Sequence, residues 1–293
     1  MKRRGFTLVE LLVVVAVIGL LVGLLLPALS SARKSARAVG CQTSLRAIGQ
    51  GMVLYMNDHG DLVIPSYNMT GTDGGANVPL DGWGPILDRD GYMEGYRGSL
   101  NNPFYCPDTV DVAGVATGQT GTDPDNPKGW LDWPFARTGA SNIPQTIPQR
   151  RFDKIIRVAY WINADNPIGG AVEIVPNLFY TSSVGYGPVM GQTMTQTRST
   201  VFRRPSLLIT VADGLYAGRQ RDNQIGTINC RIGYRHPGKQ GSANAAFADG
   251  HVQAIGGKEF PRAKHSSNPI AEVRAENLNG NPTVYADPEK ALR

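Results

Sequence analysis

The 293-residue sequence predicts an α+β protein in which one long N-terminal helix carries a β-rich domain. Three observations predict it. Residues 11–26 are all apolar or Gly, a helically spaced apolar stripe follows, and beyond Gly60 the apolar runs shorten while Gly, Pro, Asn and Asp recur. With 35 Gly and 20 Pro in the chain, that last region favours short strands and turns over a bundle of helices.

Phe6 to Leu29 contains a single charge, Glu10. As a helix this segment spans about 36 Å, enough to cross a hydrocarbon core of about 30 Å. It is also longer than the roughly 7–15 apolar residues of an ordinary secretory signal. The flanking charges do not orient it, because Lys2, Arg3 and Arg4 at one end face Arg33, Lys34 and Arg37 at the other. A carboxylate at Glu10 is costly in lipid and calls for a partner. If the chain is cut after Gly5, the new amine of Phe6 on a neighbouring copy is a cation at matching depth; the other reading is an interfacial charge with no partner. Pro27 removes one backbone donor and is expected to kink the helix.

Beyond Pro27, Cys41, Leu45, Ile48, Met52 and Tyr55 recur at intervals of four, three, four and three, which is one face of an amphipathic helix. Gly60 supplies a left-handed stop. The chain therefore divides into a leader (1–5), a transmembrane or filament-core helix (6–29), its amphipathic continuation (30–59) and a β-rich domain (60–293).

The run Lys2-Arg3-Arg4-Gly5-Phe6-Thr7-Leu8-Val9-Glu10-Leu11 resembles the class III signal of type IV pilins and type II secretion pseudopilins. The resemblance implies cleavage between Gly5 and Phe6 by a prepilin peptidase, N-methylation of Phe6 and a pilin-like fold. It implies a single-pass inner-membrane precursor with a cytoplasmic leader and a periplasmic or extracellular domain. The partners it implies are membrane lipid before assembly, inner-membrane assembly machinery, and other copies or related pilin subunits in a filament. Cys41, Leu45, Arg46, Tyr55, Asp58 and Gly60 are similar to the wider family's helix end.

In the β-rich region, strands are expected at 155–162, 171–175, 207–212, 225–232, 245–248 and 251–255, with long loops at 68–82 and 114–150. Asp249-Gly250 between apolar runs predicts a tight hairpin in which both residues tolerate positive φ. Ala212-Asp213-Gly214 reads as the same turn chemistry. The segment from His236 to Asp249-Gly250-His251-Val252 resembles the H-x9-DG element of prepilin-like proteins with a DUF1559-type domain. Here twelve residues rather than nine separate His236 from Asp249, which places an insertion within 237–242.

The formal charge of +5 falls to +2, from 26 basic and 24 acidic residues, once Lys2, Arg3 and Arg4 are removed. No long basic stripe remains, and nucleic acid is not an expected partner. Cys41 on the helix and Cys106 before Pro107 are expected to pair, leaving Cys230; the cysteine spacing matches no zinc pattern. His236, Asp249 and His251 read as structural hydrogen-bonding groups ahead of a metal or acid–base cluster. Asp88-x-Asp90-Gly91 and Asp123-x-Asp125 leave room for a loop calcium ion but lack EF-hand spacing; no other cofactor is expected. Trp83, Trp130, Trp133 and Trp161 read as core or interface residues. Gly-x-Ser-x-Gly, Walker and Rossmann fingerprints are absent, so no enzyme activity is expected. The function expected is that of a structural filament subunit. The alternatives are a minor or tip subunit or surface protein that binds a ligand through its long loops, and, behind these, an extracytoplasmic enzyme.

Overall fold

A computed structural model describes residues 7–68, 78–98, 102–109, 131–138, 141–164, 180–181, 196–214, 235–238, 241–256 and 286. Helix α1, Leu8–Asp58, is continuous over 51 residues, about 76 Å at the usual rise. Pro27 lies inside it and costs one backbone donor without ending it. The helix stops where two residues in succession take positive φ, Gly60 at 61° and Asp61 at 66°. The Asp61 N–H turns back to the Met56 carbonyl at 2.9 Å.

The two halves of α1 have opposite surroundings. From Leu8 to Leu29 every residue is exposed. From Cys41 onwards the expected stripe of Cys41, Leu45, Ile48, Met52 and Tyr55 is buried, joined by Gly49, Gly51 and Met56. The two glycines bring the helix close to its neighbours. A Cβ on Gly49 would sit 3.7 Å from Ala246 Cβ in the sheet below. One on Gly51 would sit 3.6 Å from Leu87 in the short helix α2, Trp83–Arg89.

All the named strands pair antiparallel. The sheet beneath α1 has the order β10 (Val252–Gly256), β9 (Ser242–Phe247), β8 (Ile209–Asp213) and β7 (Tyr160–Ile162). Strand β8 is buried along its whole length, as a central strand rich in β-branched residues should be. In β9, Ala246 faces α1 and keeps the surface low enough for the helix to lie across it. A second sheet joins β1 (Tyr67–Asn68), β2 (Val78–Gly82), β4 (Phe135–Thr138) and β5 (Ser141–Pro144), while β3 (Leu131–Trp133) pairs with β6 (Ile156–Val158).

The α+β class is therefore the one expected, an antiparallel, pilin-like arrangement with the helix as its spine. Several details differ. The expected loops at 68–82 and 114–150 contain the second sheet; its strands are two to five residues long and carry Pro79 and Pro144, which hide strand character. The expected strand 155–162 is two strands in different sheets, broken at Ala159, whose N–H bonds to the Phe104 carbonyl at 2.8 Å. The β9–β10 hairpin turns through three residues rather than two. Phe247 N–H meets the His251 carbonyl at 2.9 Å, Gly250 N–H closes the turn onto the Phe247 carbonyl at 2.8 Å, and Gly250 alone in the turn takes positive φ, at 88°. The expected strands at 171–175 and 225–232 lie outside the described residues.

The core is continuous from the stripe of α1 into all three sheets. Trp83, Trp133 and Trp161 are fully buried, and Trp83 meets Phe104 edge-on at 5.7 Å. Trp130 lies outside the described residues.

Candidate functional site

Two features stand apart from ordinary core packing: the bare N-terminal half of α1 and a buried polar cluster where its stripe begins.

The bare half starts from a reciprocal cap. Glu10 N–H donates to Thr7 Oγ1 at 3.3 Å, while the Thr7 N–H and hydroxyl each donate to Glu10 Oε2 at 2.8 Å. This is a capping box, in which the acid also complements the positive end of the helix dipole. Glu10 thus has a partner within its own chain. Gly5 and Phe6, the residues of the expected cut, lie outside the described residues. Around the following turns the Leu, Val and Ile side chains are exposed, with Leu11, Ile18 and Leu24 more than half so. Among the described residues this is the one helix long and apolar enough to cross a membrane.

The buried cluster is assembled from four parts of the chain. The structure joins Cys41 of α1 to Cys106 by a disulfide. His236 packs beside it, its Nε2 3.9 Å from Cys106 Sγ. The same Nε2 lies 2.8 Å from Asp213 Oδ2, and Nδ1 lies 3.1 Å from Asp108 Oδ2. Asp213 Oδ2 also accepts the backbone N–H of Asn244 at 2.7 Å, and the Asn244 side chain donates to the Ala38 carbonyl of α1 at 3.3 Å. Arg37, one helical turn before Cys41, reaches Asp108 at 3.4 Å. Arg235 donates to Thr109 Oγ1 at 2.5 Å and to the Gly214 carbonyl.

Burial pulls the His236 imidazolium towards deprotonation, but hydrogen bonds and charge from Asp213 and Asp108 outweigh it, so its pKa stands above the ordinary 6.5. Burial and the nearby Asp213 charge hold the Tyr160 phenol protonated far above its ordinary range. With the two sulfurs bonded to each other, the cluster presents an imidazole and carboxylates but no thiolate.

His236 and Asp249, paired by the sequence resemblance, have different partners. Asp249 Oδ1 holds His251 Nδ1 at 2.5 Å in an exposed hairpin, and the His251 ring stacks on Phe247. The carboxylate that meets His236 is Asp213, expected in a turn. It is instead the last residue of β8, paired with Tyr160 and fully buried. The signal was its position directly after an apolar strand covered on both faces, where continuing the strand carries the carboxylate inside. Asp108 is two residues past Cys106, so the disulfide brings it to the cluster. His236 and Ser242 are joined by paired backbone bonds of 3.0 Å.

The remaining candidates are accounted for locally. Asp88 accepts from Lys154 and from the Gly95 N–H, both at 2.8 Å, and Asp90 is bound by Arg89 at 2.7 Å. Asp123, Asp125 and Cys230 lie outside the described residues. A surface cavity of about 650 Å³ is lined by Arg97, Lys154 and Arg157, but Asp132 and Asp88 already engage these cations.

A membrane-anchored helix with a disulfide-tied β domain is what these features define. Compared with known protein families, residues 1–26 match the prokaryotic N-terminal methylation motif. No curated protein and no solved structure matches the chain. The motif supports a prepilin-type precursor that is cleaved by prepilin peptidase, assembles with other pilin subunits and acts as a structural subunit rather than an enzyme.

Proposed function

We propose that the chain is a subunit of a type IV pilus or type II secretion-like filament, cut after Gly5 and N-methylated at Phe6, with its β domain outside the inner membrane. One observation carries this reading: α1 is exposed on every face from Leu8 to Leu29 yet buried along one stripe from Cys41 onwards. A helix apolar all round needs lipid or sister helices. The same segment serves as a bilayer anchor before assembly and as packing surface after it. In the filament, Glu10 exchanges its cap for the Phe6 amine of a neighbouring subunit, where the apolar surroundings strengthen the attraction. The domain beyond residue 60 is read as the H-x9-DG type with a three-residue insertion after His236.

Mass spectrometry of the mature N-terminus tests the reading. The expected chain begins at N-methylated Phe6. A chain beginning at Met1, or one cut between Ala28 and Ala32, overturns it.

A further inference from the structure

Each of Cys41, Cys106, Asp213 and His236 presents one ligand atom, all four residues are buried, and these atoms lie within 4.8 Å of one another. They come from α1, the segment after α2, the end of β8 and the lead into β9, so no local spacing in the sequence announces them. We propose that in the thiol form of the protein these four residues bind a zinc-type divalent cation, and that the disulfide and the metal are alternative occupants of one site.

The donor set favours this chemistry. Two thiolates, one imidazole and one carboxylate make a tetrahedral S2NO set, which suits Zn2+. The imidazole is already oriented for it. Asp108 takes Nδ1, which leaves Nε2 directed at Asp213 and Cys106. A carboxylate on the far nitrogen is the usual outer partner of a metal-bound histidine, fixing both ring and tautomer. A tetrahedral ion with bonds of about 2.0–2.3 Å needs ligand atoms about 3.3–3.8 Å apart. Opening the disulfide frees the sulfurs to reach that spacing. Two thiolates and Asp213 leave the occupied site one negative charge in excess. Arg37, bound to Asp108, is a cation at its edge.

The step balances as follows. A phosphine reductant supplies two electrons and the S–S bond breaks. The phosphorus takes the oxygen of one water molecule, and the two water protons go to the sulfurs, giving two thiols and a phosphine oxide. Binding of M2+ then releases both thiol protons, together with the Nε2 proton of any His236 imidazolium, to solvent.

The test uses the full chain in detergent with Cys230→Ser, so that Cys41 and Cys106 are the cysteines that can respond. Co2+ serves as the spectroscopic probe and Zn2+ as competitor. The reduced protein is expected to take one equivalent of Co2+, with a thiolate charge-transfer band and the intense visible bands of a tetrahedral ion, and Zn2+ should abolish both. The oxidised protein should show neither. His236→Ala should remove the signal, and Asp108→Asn should weaken affinity by about 10- to 100-fold. Without any change to the four ligands, Zn2+ should slow alkylation of Cys41 and Cys106 in the reduced protein by at least the same factor, reversibly with a chelator. A reduced protein without cobalt bands, bands unchanged in His236→Ala, or alkylation indifferent to Zn2+ overturns the proposal.

Discussion

His236 Nε2 stands 2.8 Å from Asp213 Oδ2 with both side chains shut away from solvent, so a buried imidazole–carboxylate pair lies directly under the spine helix. Asp213 also satisfies the Asn244 N–H, and replacing it with Ala leaves two buried donors without an acceptor. Asp213→Ala is expected to lower the unfolding free energy by about 3–5 kcal/mol, the usual cost of breaking one side of a buried pair. Urea denaturation of the disulfide form measures it; a loss below about 1 kcal/mol would show the pair to be incidental.

The pH dependence of that form follows from the same imidazole. His236 faces Asp213 from β8, Asp108 with Arg37 behind it, and the disulfide sulfur of Cys106, with Arg235 next along the chain. Its pKa is raised on folding, so its stabilisation is fully present below the unfolded value of 6.5 and is lost as pH rises through the folded value. The denaturation midpoint should fall as pH rises above 6.5, and His236→Gln should remove this part of the slope. A midpoint that rises over this range contradicts the assignment.

The disulfide closes a sequence separation of 65 residues. Chain entropy for a loop of that size gives about 4 kcal/mol, and measured values cluster at about 2–4 kcal/mol. The double substitution Cys41→Ser with Cys106→Ser should cost an amount in that range, read from denaturation of the oxidised protein against the variant.

Two glycines should respond in opposite directions. A Cβ on Gly82 would fall onto the Trp133 ring and the Ser66 carbonyl oxygen, both in the core. Gly82→Ala should therefore cost about 3 kcal/mol, the upper end of what forced overpacking usually costs. Gly40, inside α1, has nothing within 4 Å of its added Cβ. Gly40→Ala should raise stability by about 0.5–1 kcal/mol through helix propensity. Thermal melts of the two variants side by side decide it.

For Glu10, assembly and folding should separate. The capping half-turn touches nothing in the domain, so Glu10→Lys should leave the melting of the β domain unchanged while abolishing filament assembly. Assembly by the lysine variant at the unsubstituted level would remove the Glu10–Phe6 pairing from the proposal.

The helical half of the fold was readable from sequence because a stripe of five residues repeating at 3.6 admits few other structures, and all five are buried. Gly60 marked the end for a stereochemical reason that needs no tertiary context. The second sheet was hidden because β1 has two residues and β2 carries a proline, too little pattern for a period of two to register. The polar cluster was half visible. Cys41, Cys106 and His236 stood out by type, whereas Asp213 and Asp108 look like ordinary turn residues until partners 23 and 128 positions away along the chain are brought alongside. An Asp-Gly pair thus means an exposed turn at 249–250 and a buried strand end at 213–214, a difference set by what packs outside the pair.

The position of the disulfide along α1 has a mechanical consequence. Cys41 is the first buried residue of the spine, directly where the bare shaft meets its domain. A pull transmitted along a filament's core would otherwise peel the stripe away one contact at a time, starting at this edge, where the least force is needed. A covalent bond at the leading edge carries the load into the segment at Cys106 and loads the contacts from Leu45 to Met56 together, in shear. The β domain is clamped to its helix at the point where a peeling fracture would begin.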